Sequence, residues 1–257
     1  MIGLILGTGE GKNILRLLNE HTDNLLISTA TEYGGDLLKN FKFKHMNTSP
    51  KDKEGLKKLF LKHGVKVLVD ASHPYAKEVS KNAIECAKDL NIPYLRYERP
   101  SIIEEFNSDL IVKIESYDEL KSVIKDETTV MLNTTGSRGV KALLELNLPN
   151  RIIHRVLPQV KVLEELFQLN VKVEDIVAIK GPIGYELNKG FIEEYDAKYV
   201  LLKDSGVQGG TREKLQAAID LGVTSIVIKR KSMEYGNEFN KEADLVNFIE
   251  MNYKELF

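Results

Sequence analysis

The chain has 257 residues, 42% hydrophobic and 29% charged, enough to bury one large core or two smaller ones. A formal net charge of -2 gives no overall electrostatic footprint for nucleic acid or an anionic membrane, and the single cysteine, Cys86, excludes an intrachain disulfide. The apolar start over residues 1–6 is too short for a signal-peptide core and no apolar stretch reaches a membrane span, so a cytoplasmic protein is expected.

Apolar runs at 2–6, 24–28, 65–69 and 92–95 alternate with helical patterns near 12–20, 51–62 and 75–90, the rhythm of βαβ units. A less marked strand is expected near 41–46. The first strand runs into Gly7-Thr8-Gly9-Glu10-Gly11, where free backbone N–H groups at a helix start favour phosphate. The spacing is not the usual G-x-G-x-x-G, because Lys12 stands where its third glycine would be. The second strand ends in Ser28-Thr29-Ala30-Thr31 with Glu32 beyond, and no acid stands at the strand tip to choose between NADH and NADPH. Ser49-Pro50 with Asp52 predicts an N-cap, an N1 proline and a first-turn acid. Cys86, among Ala83, Ile84 and Ala87, reads as a packed helical thiol.

The run 65–69 leads into Asp70-Ala71-Ser72-His73-Pro74-Tyr75-Ala76. Ligands of open parallel sheets bind outside the carboxyl ends of strands, so this loop offers a carboxylate, a hydroxyl, an imidazole and a phenol at a ligand edge. The equally simple reading is a capped strand-to-helix turn, with Asp or Ser as N-cap and Pro74 in the first helical turn.

The pattern lapses after Pro100, which places the domains at 1–100 and 101–257. Strands resume near 110–114, 129–132, 151–156, 175–179, 199–203 and 224–229. Ser116 with Glu119 forms a capping box, Thr211 is the expected N-cap of a helix reaching Leu221, and Gly222 ends that helix. The second domain closes with a helix carrying Ala243, Leu245, Val246, Phe248 and Ile249, and the sequence does not say on which domain this helix docks.

Four loops follow these strands: 133–139, 155–158, 181–184 and 203–210. Their glycines and hydroxyls allow backbone approach to phosphates or carboxylates, and Arg138, Arg155 and Lys203 add positive charge. Each taken singly also reads as a turn with an exposed charge. The five histidines show no metal-ligand spacing, so no metal site is expected. Tyr117 to Lys121 and Tyr185 to Lys189 match a Tyr-x-x-x-Lys spacing at a rate expected by chance in so lysine-rich a chain.

Together, Asp70-Ala71-Ser72-His73-Pro74-Tyr75-Ala76, Leu95-Arg96-Tyr97-Glu98-Arg99-Pro100, Thr134-Thr135-Gly136-Ser137, Arg155-Val156-Leu157-Pro158 and Lys203-Asp204-Ser205-Gly206 with Gly209-Gly210 resemble the precorrin-6A reductase family of corrin biosynthesis. The resemblance implies an α/β protein of two Rossmann-like domains with largely parallel sheets facing a central cleft. It also implies reduction of one macrocycle double bond by NADH or NADPH, with an anionic tetrapyrrole as substrate. Under that chemistry, Gly7, Gly9, Gly11, Ser28 and Thr29 are the nucleotide candidates, joined by Thr134, Thr135 and Gly136. Arg138, Arg155 and Arg212, with Ser72, Asp204 and Ser205, are candidates to hold the substrate and its carboxylates. Lys203, His73 and Tyr75 are the candidate proton donors or charge stabilisers.

Two readings from other classes stand beside this one. A non-catalytic two-domain protein closing on an anionic metabolite would bind without consuming cofactor. A sugar-nucleotide reductase or epimerase would need one of the Tyr-Lys pairs to function. The sequence specifies neither the oligomeric state nor whether the ring holds cobalt.

Overall fold

The computed structural model describes residues 1–7, 11–124, 126–231 and 233–257. Position Gly9 of the glycine loop lies outside the described residues. The chain begins with β1 (Ile2–Leu6), α1 (Gly11–Leu18), β2 (Leu25–Ser28), α2 (Glu32–Asp36), β3 (His45–Asn47), α3 (Lys53–Lys62), β4 (Val67–Ala71), α4 (Lys77–Leu90) and β5 (Tyr94–Tyr97). It continues with β6 (Ile111–Ile114), α5 (Leu120–Val123), β7 (Val130–Asn133), α6 (Val140–Glu145), β8 (Arg151–Val156), α7 (Val160–Gln168), β9 (Ile176–Ala178), α8 (Tyr185–Glu194), β10 (Ala197–Lys203), α9 (Thr211–Asp220) and β11 (Thr224–Ile228). It ends with β12 (Asn237–Phe239) and α10 (Glu242–Asn252).

These elements form two units. Unit 1 comprises Met1–Pro100 and Ser232–Phe257, and unit 2 comprises Ser101–Lys231. In unit 1 the strand order is β12-β5-β4-β1-β2-β3, and every neighbouring pair is parallel. Read from the other edge this is the doubly wound order 3-2-1-4-5-6, with the sixth strand supplied by the end of the chain. The order reverses between β1 and β4, where Leu6 is in register with Ala71. Alternation along β1 builds both faces: Ile2, Leu4 and Leu6 pack with Ile14, Leu15, Leu18, Leu245 and Ile249, while Ile5 packs with Leu56, Phe60, Leu68 and Cys86. Burial pushes the Cys86 thiol up to about 11, which makes it an inert core group.

Unit 2 has the order β6-β11-β10-β7-β8-β9, again parallel throughout. Its connections run outward from β7 through β8 to β9 and then cross back to β10, so its switch point lies between β7 and β10.

Several local expectations differ from what forms. The tail does not complete the second domain: β12 pairs with β5, and Leu245, Val246, Ile249 and Leu256 enter the core of unit 1. Strand β4 is displaced toward Ala71, because Val65 N–H donates to the Phe60 carbonyl at 3.0 Å and closes α3 instead of opening the strand. The cap of α3 is Asp52, whose Oδ1 accepts from Gly55 N–H at 2.8 Å, and Ser49 and Pro50 precede it. Pro74 lies in a tight turn closed by Ala76 N–H on the His73 carbonyl at 2.7 Å, and α4 starts only at Lys77. Thr211 is the first helical residue of α9; the cap is Gly210 at φ 64. The capping box of Ser116 and Glu119 forms, and Gly222 takes φ 68 after α9.

Candidate active site

At the switch point of unit 1, Gly7 N–H donates to the Ala71 carbonyl at 3.0 Å, which joins the ends of β1 and β4. Gly11 opens α1 against the strand, and a Cβ there would meet the Leu6 side chain at 3.1 and 3.3 Å. Close helix-to-strand approach at the start of α1 therefore falls to Gly11. At the tip of β2, Ser28 Oγ accepts from Asn47 Nδ2 at 3.0 Å and Thr29 Oγ1 donates to the Thr31 carbonyl at 3.0 Å. Thr31 caps α2 through Gly34 N–H, and Glu32 is exposed in its first turn.

The loop after β4 divides into an internal and an accessible part. Asp70 is fully buried: Oδ1 accepts from Ser72 N–H at 2.9 Å and pairs with Arg96 at 3.0 Å, and Oδ2 accepts from Tyr94 Oη at 2.7 Å. Ser72 Oγ accepts from Arg96 at 3.2 Å and lies 3.4 Å from Ser80 Oγ. Arg96 also holds Glu98 through two nitrogens, at 2.8 and 2.5 Å. Its burial alone would lower its pKa, but Asp70 and Glu98 outweigh that and hold it raised. Asp70 and Ser72 thus belong to a closed internal network, and Ser72 differs in this from the expected substrate contact. His73 and Tyr75 are half-buried beyond it, their rings 5.7 Å apart, with Tyr75 N–H donating to His73 Nδ1 at 3.2 Å. That bond makes Nδ1 an acceptor and leaves the proton of a neutral ring on Nε2.

In unit 2 the carboxyl edge is built on Asn133. Its Oδ1 accepts from Thr135 N–H at 3.0 Å and Oγ1 at 2.7 Å, so its Nδ2 faces His154 Nδ1 at 3.1 Å as a donor. His154 must then accept, and burial holds its pKa down to about 4. Thr134 is tied to the Leu201 carbonyl through both N–H and Oγ1, and Gly136 turns the loop at φ 85. Across the switch point Lys203 Nζ donates to the Thr135 carbonyl at 3.2 Å; burial, and then Arg138, lower its pKa. Arg155 is buried at the end of β8 and donates to Asn188 Oδ1 at 2.7 Å; burial lowers its pKa to about 10.

The remaining expected contacts are engaged otherwise. Asp204 is buried and pairs with Arg230 at 3.1 Å, and Ser205 N–H donates to Thr211 Oγ1 at 3.1 Å. Arg212 points along the outside of α9, paired with Glu105 and lying over the Phe106 ring at 5.8 Å. His73 and Tyr75 belong to unit 1, and Lys203 and the arginines to unit 2.

Residues 1–250 match the family model described as "Precorrin-6x reductase CbiJ/CobK". The chain belongs to this family. The Cobalt-precorrin-6A reductase of Methanocaldococcus jannaschii is 35% identical over 247 residues, covering 96% of each protein. That of Priestia megaterium is 32% identical over 252 residues, covering 97% of this chain and 98% of its own. A solved structure titled CobK precorrin-6A reductase superposes at a TM-score of 0.78 over 96% of this chain and 95% of that one, at 15% identity, and shows the common fold.

Within this precorrin-6x reductase chain, sequence reasoning missed two polar residues at the edge of unit 2. Lys214 and Asn188 are buried on the core-facing sides of α9 and α8. The signal was present: Lys214 shares helical spacing with Thr211, Leu215 and Ala218, and a lysine on an apolar face needs a reason to be there. Of the two Tyr-Lys pairs, Tyr185 donates to Asp220 at 2.8 Å at the surface, and Tyr117, raised in pKa by burial, donates to Thr135 Oγ1 at 3.1 Å. Among the described residues no group of three or more His, Cys, Asp or Glu side chains has metal-holding geometry, and no helix is long and apolar enough to cross a membrane.

Proposed function

We propose that this protein reduces one double bond of a precorrin-6A-type macrocycle with a reduced nicotinamide nucleotide. The observation that carries this reading is the full-length likeness to cobalt-precorrin-6A reductases at 32–35% identity. Two structural features support it: a doubly wound unit with a glycine loop at its switch point, and a second parallel unit whose carboxyl edge carries Lys203 and Arg155. When bound, the nucleotide supplies a hydride to one carbon of the double bond and leaves oxidised by two electrons, while a proton completes the other end.

The chain's own tasks follow. Gly7 and Gly11 shape the loop at the end of β1, where the backbone takes the pyrophosphate, with Thr29 and Ser28 beside the ribose. Gly9 enters this assignment on the sequence alone. Lys203, held on the Thr135 carbonyl and lowered in pKa by burial, is the proton donor or the charge that stabilises the reduced ring; Thr134 and Gly136 shape the loop facing it. His73, with its proton on Nε2, and Tyr75 are the alternatives on unit 1. Arg138 and Arg155 take substrate carboxylates. Ser72, Asp204 and Arg212, engaged inside their own units or at the surface, are left out of the site, and Ser205 keeps only a loop-shaping part. A cytoplasmic setting, where reduced nucleotides are made, goes with this reading.

Anaerobic incubation with cobalt-precorrin-6A, and separately with the metal-free ring, tests the proposal with NADH and NADPH in turn. Loss of dihydronicotinamide absorbance matched by a change in the ring spectrum is the expected result; ligand binding without nucleotide consumption would favour the non-catalytic reading instead. With neither an acid nor an arginine at the β2 tip, both nucleotides are expected to work. Their preference should stay below roughly 100-fold, under about 3 kcal/mol. Initial rates at limiting nucleotide check this.

A further inference from the structure

We infer that Arg155 and Lys214 together form an oxyanion subsite in unit 2 that takes one carboxylate of the macrocycle, an inference that rests on the function proposed above. The two side chains flank one pair of loops. Asn188, which accepts from Arg155, donates through Nδ2 to the Ile183 carbonyl at 3.1 Å and the Gly184 carbonyl at 2.8 Å. The neighbouring loop touches the same turn: a Cβ on Gly210 would lie 3.0 Å from Pro182 Cβ and 3.8 Å from the Ile183 carbonyl oxygen. From beneath that loop Lys214 Nζ donates to the Gly209 carbonyl at 3.0 Å.

Both cations are taken out of water, Arg155 to 9% exposure and Lys214 to 7%, and among the described residues neither has a carboxylate partner in an ion pair. An amide oxygen and a peptide carbonyl are poor compensation for buried cationic groups, and an anionic ligand supplies the missing countercharge. Among the described residues the acid acting on Lys214 is Glu213, whose Oε2 is buried without a hydrogen-bond partner. Glu213 favours the charged form of Lys214, yet burial and Arg155 prevail and lower Lys214 to about 7. Once Lys214 is protonated, its charge and that of Arg155 against Glu213 leave a single positive charge, which matches a carboxylate better than a doubly charged pyrophosphate. Carboxylate binding then completes the site by drawing a proton onto Lys214.

Binding of uroporphyrin, a tetrapyrrole bearing eight carboxylates, tests this apart from turnover. Lys214→Met and Arg155→Gln are each expected to raise its Kd by about tenfold or more. Arg155→Lys should recover part of the loss, and the surface change Lys198→Ala should leave the affinity as it is. Near pH 8 the wild type should take up protons on binding, measured in buffers of different ionisation enthalpy, and Lys214→Met should not. NADH and NADPH affinities should stay unchanged in all variants. The inference is overturned if the wild type does not bind uroporphyrin, if folded variants bind it as tightly as wild type, or if nucleotide affinity falls instead, which would assign the subsite to phosphate. Failure of cobalt-precorrin-6A turnover with uroporphyrin binding intact would sink the proposed reaction and leave the carboxylate subsite standing.

Discussion

Each unit buries an arginine near the carboxyl end of a strand, and the two are treated oppositely. Arg96 in unit 1 meets Asp70 and Glu98, with the Tyr235 ring 5.0 Å away, so its charge is consumed inside the fold. Among the described residues, Arg155 in unit 2 meets the Asn188 amide oxygen and Lys214 meets the Gly209 carbonyl, and neither has a carboxylate in an ion pair. A buried charge that is fully paired locks structure, whereas one left in surplus is stability given up for a ligand. Unit 1 therefore uses its arginine to fasten neighbouring strands, and Lys77 Nζ adds a 2.6 Å bond to the Tyr235 hydroxyl of the returning segment. Unit 2 pairs Arg230 with Asp204 but leaves Arg155 and Lys214 on uncharged acceptors.

The contrast is broken most severely by removing one partner from the paired side. Asp70→Ala leaves Arg96 with Glu98 as its one acid and takes the acceptor from the Tyr94 hydroxyl, and should destabilise unit 1 by about 3 kcal/mol, read as lost hydrogen-exchange protection in β1, β4 and β5. In unit 2 the effect should fall on activity: Lys203→Met keeps the packing stem, and turnover should drop tenfold or more, about 1.4 kcal/mol of transition-state stabilisation. Full turnover by that variant would remove Lys203 from both of its proposed roles.

A smaller effect, opposite in sign, is expected for the stability of Lys214→Met. Lys214 is lowered to about 7 against an ordinary 10.5, so between those limits the unfolded chain binds more protons than the folded one. Wild-type stability should rise with pH across that window, and the variant should lose the slope while gaining stability near pH 7. Urea unfolding at the two ends of the window decides it. Smallest of all, Arg212→Ala removes a surface pair with Glu105 and should cost under about 1 kcal/mol in the same assay.

The sequence carried the architecture further than the site. Strands such as 151–156 were legible because parallel strands buried on both faces read as unbroken apolar runs, and their ends located the polar loops. Strand β12 was not, because Asn237, Glu238 and Phe239 form no apolar run and are fixed by pairing with β5, far away in sequence. The candidate site was legible as loops but not as roles. Asp70, Asp204 and Arg212 look like ligand-binding groups by type and place, and only three-dimensional partners show their charges already engaged. Lys214 was hidden for the converse reason: it sits mid-helix, where a lysine is ordinarily taken for the solvated face.

Isotope tracing follows the hydride itself from nicotinamide to the macrocycle. Anaerobic turnover with NADH or NADPH carrying deuterium at the transferable C4 position should give a reduced ring containing one deuterium at a site that does not exchange with solvent. A reduced ring without label, or consumption of nucleotide with the ring unchanged, would rule out direct hydride transfer.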